Sequence, residues 1–371
     1  MTTRIAIVGG FLGAGKTTLI LAAARRLAAR GYRVGLVTND QGEDLVDTAL
    51  AGDAEIPVAE VAGGCFCCRF PDLLAGLQRL QEVAAPDLIL AEPVGSCTDL
   101  IATVLRPLVQ FYGEQYALAP LTVLLDSSRS LAGFPVDIRY LHEQQVAEAE
   151  ILLLSKSDLA GQNGTRIGRR CPFDKPRTSP ESVEGKGRMD ADLGKPQMLP
   201  VSAVTGDGLD EWLDIILGQS SRNPAALTID YERYAQAEAA LGWLNAKGQV
   251  RADSPYSARE WTAHLLATLE RLCAEQHTSI AHIKMLVTTP KGKLKASLTQ
   301  SGSLTWDLDT EAAETRSHEF VLNVRVNAAP VQLEQMAMQA IESAQPDPAA
   351  RYYIEHFECF SPLPPRPTHR L

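Results

Sequence analysis

The chain has no apolar run of the roughly 20 residues needed to cross a bilayer. Met1-Thr2-Thr3 runs straight into the strand-like residues 4–8, so no signal peptide is expected. It also lacks a basic surplus. Lysine and arginine total 35 against 45 acids, a formal net charge of -10, which argues against a nucleic-acid or membrane-surface partner. One local cluster (Arg166, Arg169, Arg170, Lys175, Arg177, Lys186 and Arg188) falls in loop-like sequence and reads as a solvated loop. There is no histidine tract for bulk metal storage and no internal repeat. The seven cysteines are an odd number, and three lie within residues 65–68, which speaks against a disulfide framework and for metal or redox chemistry in a cytoplasmic protein.

What is present is a globular composition, 45% hydrophobic and 22% charged, over 371 residues, a length that suits two domains. Near-continuous Val, Ile and Leu runs at residues 5–8, 34–38, 88–91, 121–125, 151–154 and 199–201 read as strands buried on both faces. Ala/Leu/Arg-rich helical stretches alternate with them, so residues 1–219 are expected to form an α/β domain. Its sheet should be mostly parallel, with helices on both faces. Residues 161–195 have almost no apolar periodicity and are expected to be a mobile loop. Beyond about residue 225 the pattern changes. Phe320, Leu322, Val324 and Val326 alternate with polar or flanking residues, and residues 258–275 and 331–343 read as helices. A smaller α+β domain over 225–361 is expected, an antiparallel sheet with two helices on one face, followed by a frayed tail at 362–371.

Gly10-Phe11-Leu12-Gly13-Ala14-Gly15-Lys16-Thr17-Thr18 matches G-x-x-x-x-G-K-[ST] between an apolar strand and an Ala/Leu helix, the context of a phosphate-binding P-loop. Glycines let the backbone curl so that several N–H groups face one anion, and the helix N-terminus adds its positive end. Lys16 is expected on the β- and γ-phosphates and the Thr17 hydroxyl on Mg²⁺. Glu92 ends a buried strand where ligands bind in such sheets, and is expected to hold Mg²⁺ through water or orient the attacking water. Gly95 leaves room for a backbone N–H beside the γ-phosphate.

Two later loops address the base. Ser155-Lys156-Ser157-Asp158 and Ser202-Ala203 each follow a strand and resemble the N-K-x-D and S-A loops of GTPases. Asp158 can accept from guanine N1–H and its exocyclic amine, neither of which adenine offers there, so GTP is the expected nucleotide. Lys156 would pack along the base, and the Ala203 N–H would meet O6. Ser155 stands where asparagine is usual and is expected, being shorter, to lose the bond that braces the phosphate loop.

Cys65, Cys67 and Cys68 can converge on one soft ion if Gly63-Gly64 turns the chain, and thiolates suit Zn²⁺. Three ligands leave a fourth position open, as hand-over of a metal requires; Glu43 is a candidate extra ligand. A redox thiol cluster and plain buried packing are the alternatives. Cys97, Cys171, Cys273 and Cys359 read as packing cysteines.

Together these segments resemble the CobW-like family of P-loop GTPases, whose members act as metallochaperones. Asn39-Asp40-Gln41-Gly42-Glu43 with Asp47 is similar to that family's N-E-x-G-E…D switch segment, Asp40 replacing glutamate. The resemblance covers residues 4–217. It implies slow or partner-stimulated GTP hydrolysis coupled to delivery of Zn²⁺ or Co²⁺. The receiver would be a client metalloprotein or metal-cofactor pathway, and a homodimer is left open. A small-molecule phosphotransferase and a non-enzymatic zinc-responsive binding module are the rivals.

Overall fold

The computed structural model describes residues 2–39, 56–159, 195–299, 304–309 and 314–371. The expected switch residues 40–47 with Glu43, the expected mobile loop up to residue 194 with its basic cluster, and Cys171 lie outside these.

Among the described residues, eight strands form the first sheet: β1 (Thr3–Gly10), β2 (Val34–Asn39), β3 (Val58–Val61), β4 (Leu88–Glu92), β5 (Tyr116–Leu118), β6 (Thr122–Asp126), β7 (Ile151–Ser155) and β8 (Gln197–Pro200). Their order is β3-β2-β4-β1-β6-β7-β8, with β5 also on β1, and every pairing is parallel. Strand alternation splits β1 between two cores. Ile5 and Ile7 face one, and Ala6 and Val8 the other. Helices cover both. On one side lie α1 (Lys16–Ala29) and, far along the chain, Leu209–Gly218. On the other are α2 (Phe70–Ala84), a π-helical stretch Ile101–Leu105 that runs into α3 (Arg106–Tyr112), and α4 (Val136–Ala147). Residues 209–218 form α5, whose Trp212 is fully buried and donates its indole N–H to Thr122 Oγ1 at 3.1 Å. Burying a side chain of that size is worth roughly 3 kcal/mol or more, and the bond leaves no orphan donor.

After α6 (Tyr231–Ala239) the described residues form a second, antiparallel sheet of six strands, β9 (Gly242–Tyr256), β10 (Ile280–Thr289), β11 (Gly292–Leu298), β12 (Leu304–Asp309), β13 (Thr315–Val326) and β14 (Arg351–Phe360). Their order is β12-β11-β10-β13-β9-β14. Helices α7 (Ala258–Glu275) and α8 (Pro330–Ser343) share one core with the apolar face of this sheet: Ile283, Met285 and Val287 of β10, Leu294 and Ala296 of β11, and Phe320, Leu322 and Val324 of β13. The fold class expected from the sequence is the one observed. No helix among the described residues is long and apolar enough to cross a membrane.

The segment 362–371 departs from expectation. It is docked, not frayed. Thr368 N–H donates to Cys67 O at 2.8 Å, Leu371 N–H donates to Ala102 O at 2.9 Å, and Arg370 Nε donates to Asp99 Oδ2 at 2.8 Å. His369 meets Phe70 edge-on at 5.0 Å. Its prolines show no periodicity to read, and what holds it is backbone pairing together with the Arg370 and His369 side chains.

Candidate nucleotide and metal site

The phosphate loop is shaped by left-handed glycines. Gly10, Gly13 and Gly15 have φ of 131°, 81° and 93°. A Cβ on Gly10 would lie 2.6 Å from Leu124 O, so only glycine lets the loop leave β1 beside β6. Lys16 Nζ donates to Gly10 O at 2.9 Å and to Phe11 O at 3.5 Å, and stands 4.0 Å from Glu92 Oε1. Thr17 Oγ1 donates to Glu92 Oε1 at 3.0 Å. This brings a hydroxyl and a carboxylate together at the mouth of the loop, the hard oxygen donors that Mg²⁺ takes. A Cβ on Gly95 would come within 2.7 Å of Leu12 Cδ2, so β4's exit packs directly against the loop.

A cavity of about 450 Å³ opens here. Gly13, Ala14, Gly15, Lys16, Thr17 and Thr18 form its floor. Glu92 and Gly95 close one side, and Lys156, Asp158 and Ala203 reach it from the other. Residues far apart in sequence therefore meet because β1, β4, β7 and β8 all end on one edge of the parallel sheet. Lys156 sits in a left-handed conformation (φ 57°), and its ammonium donates to Asp126 Oδ2 at 2.6 Å. Two expected site residues stay behind the wall. Gly10 contributes its carbonyl to Lys16, and fully buried Ser202 accepts from Thr205 N–H at 3.1 Å. Ser155 corrects an expectation. Its Oγ donates to Ala14 O at 2.8 Å, so the brace on the phosphate loop survives the shorter side chain.

The cysteines converge. Gly63 and Gly64 turn the chain with φ of 73° and 153°. Cys68 N–H and Arg69 N–H then both donate to Cys65 O, at 3.0 and 2.9 Å, folding the three thiols inward at the start of α2. The Sγ separations are 2.7 Å for Cys65–Cys67, 3.1 Å for Cys65–Cys68 and 3.7 Å for Cys67–Cys68. Four bonds of about 2.3 Å at tetrahedral angles place thiolates roughly 3.8 Å apart, so zinc would spread the first pair. Two features were hidden from sequence reasoning. Cys97, which arrives after β4, is buried in the same core as Cys65 and Cys67. The segment 362–371 covers the outside, with Arg366 N–H donating to Cys68 Sγ at 3.1 Å.

These contacts split the thiol acidities. S–H donation from Cys65 and Cys67 brings the Cys97 thiol down to about 6. The bonds from Cys67 to Cys65 and Cys68 hold its proton on, well above the usual thiol value, and the bond to Cys65 lifts Cys68 to about 11. Thiols that share one space cannot all ionise until a cation replaces the protons.

Asn39 joins the two centres. At the end of β2 it lines the cavity. Its Nδ2 donates to Val61 O at 2.8 Å and Gly64 O at 2.7 Å. Its Oδ1 accepts from Phe66 N–H at 3.0 Å and from Val94 N–H at 3.3 Å. One buried amide thus ties the cysteine turn to the chain just past Glu92.

Residues 4–171 match the family described as CobW/HypB/UreG, nucleotide-binding domain. Among curated relatives, the zinc chaperone YeiR of Escherichia coli (strain K12) is 33% identical over 165 residues, 42% of this chain and 47% of that protein. The zinc chaperone YjiA of the same strain is 29% identical over 166 residues, 43% and 50% of the two chains. The chain thus spans about half the length of the curated relatives it matches. Among solved structures, the Zn(II)-bound YjiA GTPase from E. coli is similar over 92% of this chain and 99% of that one, at 15% identity and a TM-score of 0.30, too loosely to carry residue roles.

Proposed function

We propose, from the premise that residues 4–171 are a CobW/HypB/UreG nucleotide-binding domain, that this chain is a GTP-hydrolysing metallochaperone. Water attacks the γ-phosphorus, the bond to the bridging oxygen breaks, and GDP and phosphate leave. Lys16 neutralises charge on the β- and γ-phosphates, and loop amides hold the chain of phosphates still. Thr17 and Glu92 would hold Mg²⁺, which supplies further charge neutralisation when bound. Asp158 selects guanine, with Lys156 along the base and the Ala203 N–H toward O6. Gly13, Ala14, Gly15, Thr18 and Gly95 shape the cradle, while Gly10 and Ser202 brace it from behind.

The cargo is a thiophilic ion, Zn²⁺ or Co²⁺, on Cys65, Cys67 and Cys68. Delivery to a client metalloprotein in the cytoplasm completes the reading, supported by two relatives that carry the name zinc chaperone. The observation that carries the coupling is Asn39, whose one amide bonds both the cysteine turn and the backbone after Glu92. Loss of γ-phosphate contacts would relax that backbone and loosen the turn.

The test is GTP and ATP turnover by metal-free protein, repeated with Zn²⁺, Co²⁺ and Ni²⁺ beside the measured binding stoichiometry. Turnover is expected to be slow, to favour GTP over ATP by roughly a hundredfold or more, and to change with one metal bound. Cys67→Ser should bind GTP and lose the metal response. Preference for ATP, or turnover equal to that of Lys16→Ala, overturns the reading.

A further inference from the structure

The nucleotide cavity has a second wall, and the antiparallel domain builds it. Seen from the phosphate loop, the nearest groups to Gly13 come partly from that domain. A Cβ on Gly13 would lie 3.2 Å from Ala281 O, 3.2 Å from Thr299 Cγ2 and 3.0 Å from Arg129 Nη1. Arg129 staples the contact. Its Nη1 donates to Leu12 O at 2.7 Å and its Nη2 to Ile280 O at 3.4 Å, and its guanidinium lies over the rings of Phe11 and Phe134 at 5.5 and 5.4 Å. Ser279 Oγ adds a bond to Gly133 O at 2.8 Å. The start of β10 is thereby fixed against the loop that cradles phosphate.

Strand alternation does the rest. Ile283 and Met285 of β10 and Leu294 and Ala296 of β11 point into the core with α7 and α8. The period of two then sends His282 and Lys284, and Lys295 and Ser297, to the opposite face. All four line the same cavity as Lys16 and Thr17, together with Asp307 of β12. A sheet face turned to water would leave such lysines exposed, yet the Lys295 side chain is only 7% exposed. Lys295 Nζ lies 3.5 Å from Asp307 Oδ2, which also accepts from Ser297 Oγ at 2.5 Å. Burial, and then the positive charges of Lys284, Lys156, Lys295 and Arg129, hold His282 well below the usual imidazole value. Lys156 from the parallel domain and Lys284 and Lys295 from the antiparallel one line one cavity, where a polyanion would meet positive charge from both sides.

Resting on the GTP reading above, we propose that the antiparallel domain completes the nucleotide site, with Lys284 and Lys295 supplying cations in cis to the bound phosphate chain. Nucleotide then lies between the domains and draws them together. This is a binding role for β10 and β11 that the phosphate-loop motif alone does not include.

The test is binding of a non-hydrolysable GTP analogue to the full chain, as wild type, Lys284→Gln, Lys295→Gln, Lys284→Arg and Lys16→Ala, each with its ligand-free melting temperature. Lys284→Gln and Lys295→Gln should each weaken the analogue about tenfold or more, as loss of a charge-assisted contact does. Their melting temperatures should stay near that of wild type, and Lys284→Arg should recover most of the affinity. Raising salt should weaken binding more steeply in wild type than in either glutamine variant. If both glutamine variants bind within twofold of wild type while Lys16→Ala does not bind, the second wall takes no part and this inference fails alone. If Lys16→Ala binds as well as wild type, the GTP reading fails and takes this one with it.

Discussion

The two centres joined by Asn39 are built to opposite designs. The proposed nucleotide cavity lies between the strand ends of one sheet and a face of the other, with charged and polar groups in its lining, a volume of about 450 Å³ and a loop already curled by left-handed glycines. The thiol cluster is largely buried among the described residues. Cys65, Cys67 and Cys97 are each 3% exposed or less, and the segment 362–371 lies over Cys68. A preformed polar cradle suits a ligand that must enter and leave as a whole. A buried sulfur pocket suits an ion that must be kept from water and competing thiols until something moves. On the proposed function, this difference would put the changing part of the cycle on the nucleotide side, with the metal side responding.

The largest expected effect comes from breaking the cradle. Lys16→Ala should abolish GTP turnover, by more than about a hundredfold, while leaving metal stoichiometry intact in equilibrium dialysis. Loss of both would mean that the centres are not separable. Asn39→Ala attacks the link. It removes the partner of two buried N–H donors and two carbonyls, so a loss of about 1–3 kcal/mol in stability is expected from denaturant titration. More telling, both GTP and metal should still bind, while the change in turnover on adding metal disappears. Deleting residues 362–371 tests the cover. Modification of Cys68 by a thiol reagent should speed up severalfold with GTP affinity unchanged, and an unchanged rate would show that the segment does not shield it.

A last prediction concerns stability alone, through a buried carboxyl. Glu148 is buried, accepts from Thr98 Oγ1 at 3.1 Å and Ile101 N–H at 3.3 Å, and is raised to about 8 by burial and then by Asp99. The unfolded chain loses this proton near the usual glutamate value of 4.5 while the folded chain keeps it to about 8. Its contribution to stability is therefore full below about 4.5 and declines as pH rises to about 8, by at most about 1.4 kcal/mol per pH unit. Glu148→Gln should flatten the melting temperature across that window. An unaltered profile would remove Glu148 as the cause.

Legibility followed the physics of each segment. The central strands of the parallel sheet were readable because burial on both faces demands continuous Val, Ile and Leu, as in β1 and β7. Edge strand β3, with the sequence Val-Ala-Glu-Val, and the short β5 gave no such run and went unseen. The phosphate loop and the cysteine triplet declared themselves because their ligands are adjacent in sequence. Cys97 did not, since only the fold of the chain after β4 carries it to Cys65. Nor did the docking of 362–371, which rests on backbone bonds and on Arg370 and His369 meeting partners far away in sequence. His282 and Lys284 could be read as the polar face of a strand. That this face meets Gly13 is a fact of domain packing, written in Ala281, Thr299 and Arg129 together.

The most direct measurement is the Zn²⁺ dissociation constant of the full chain, taken by competition with a chelator, once with the non-hydrolysable GTP analogue bound and once with GDP. The predicted result is tighter zinc in the analogue state, by about tenfold or more, the scale of an ordinary coupling between two sites. Equal constants in the two states would contradict it, because a nucleotide that does not distinguish them cannot drive release through Asn39.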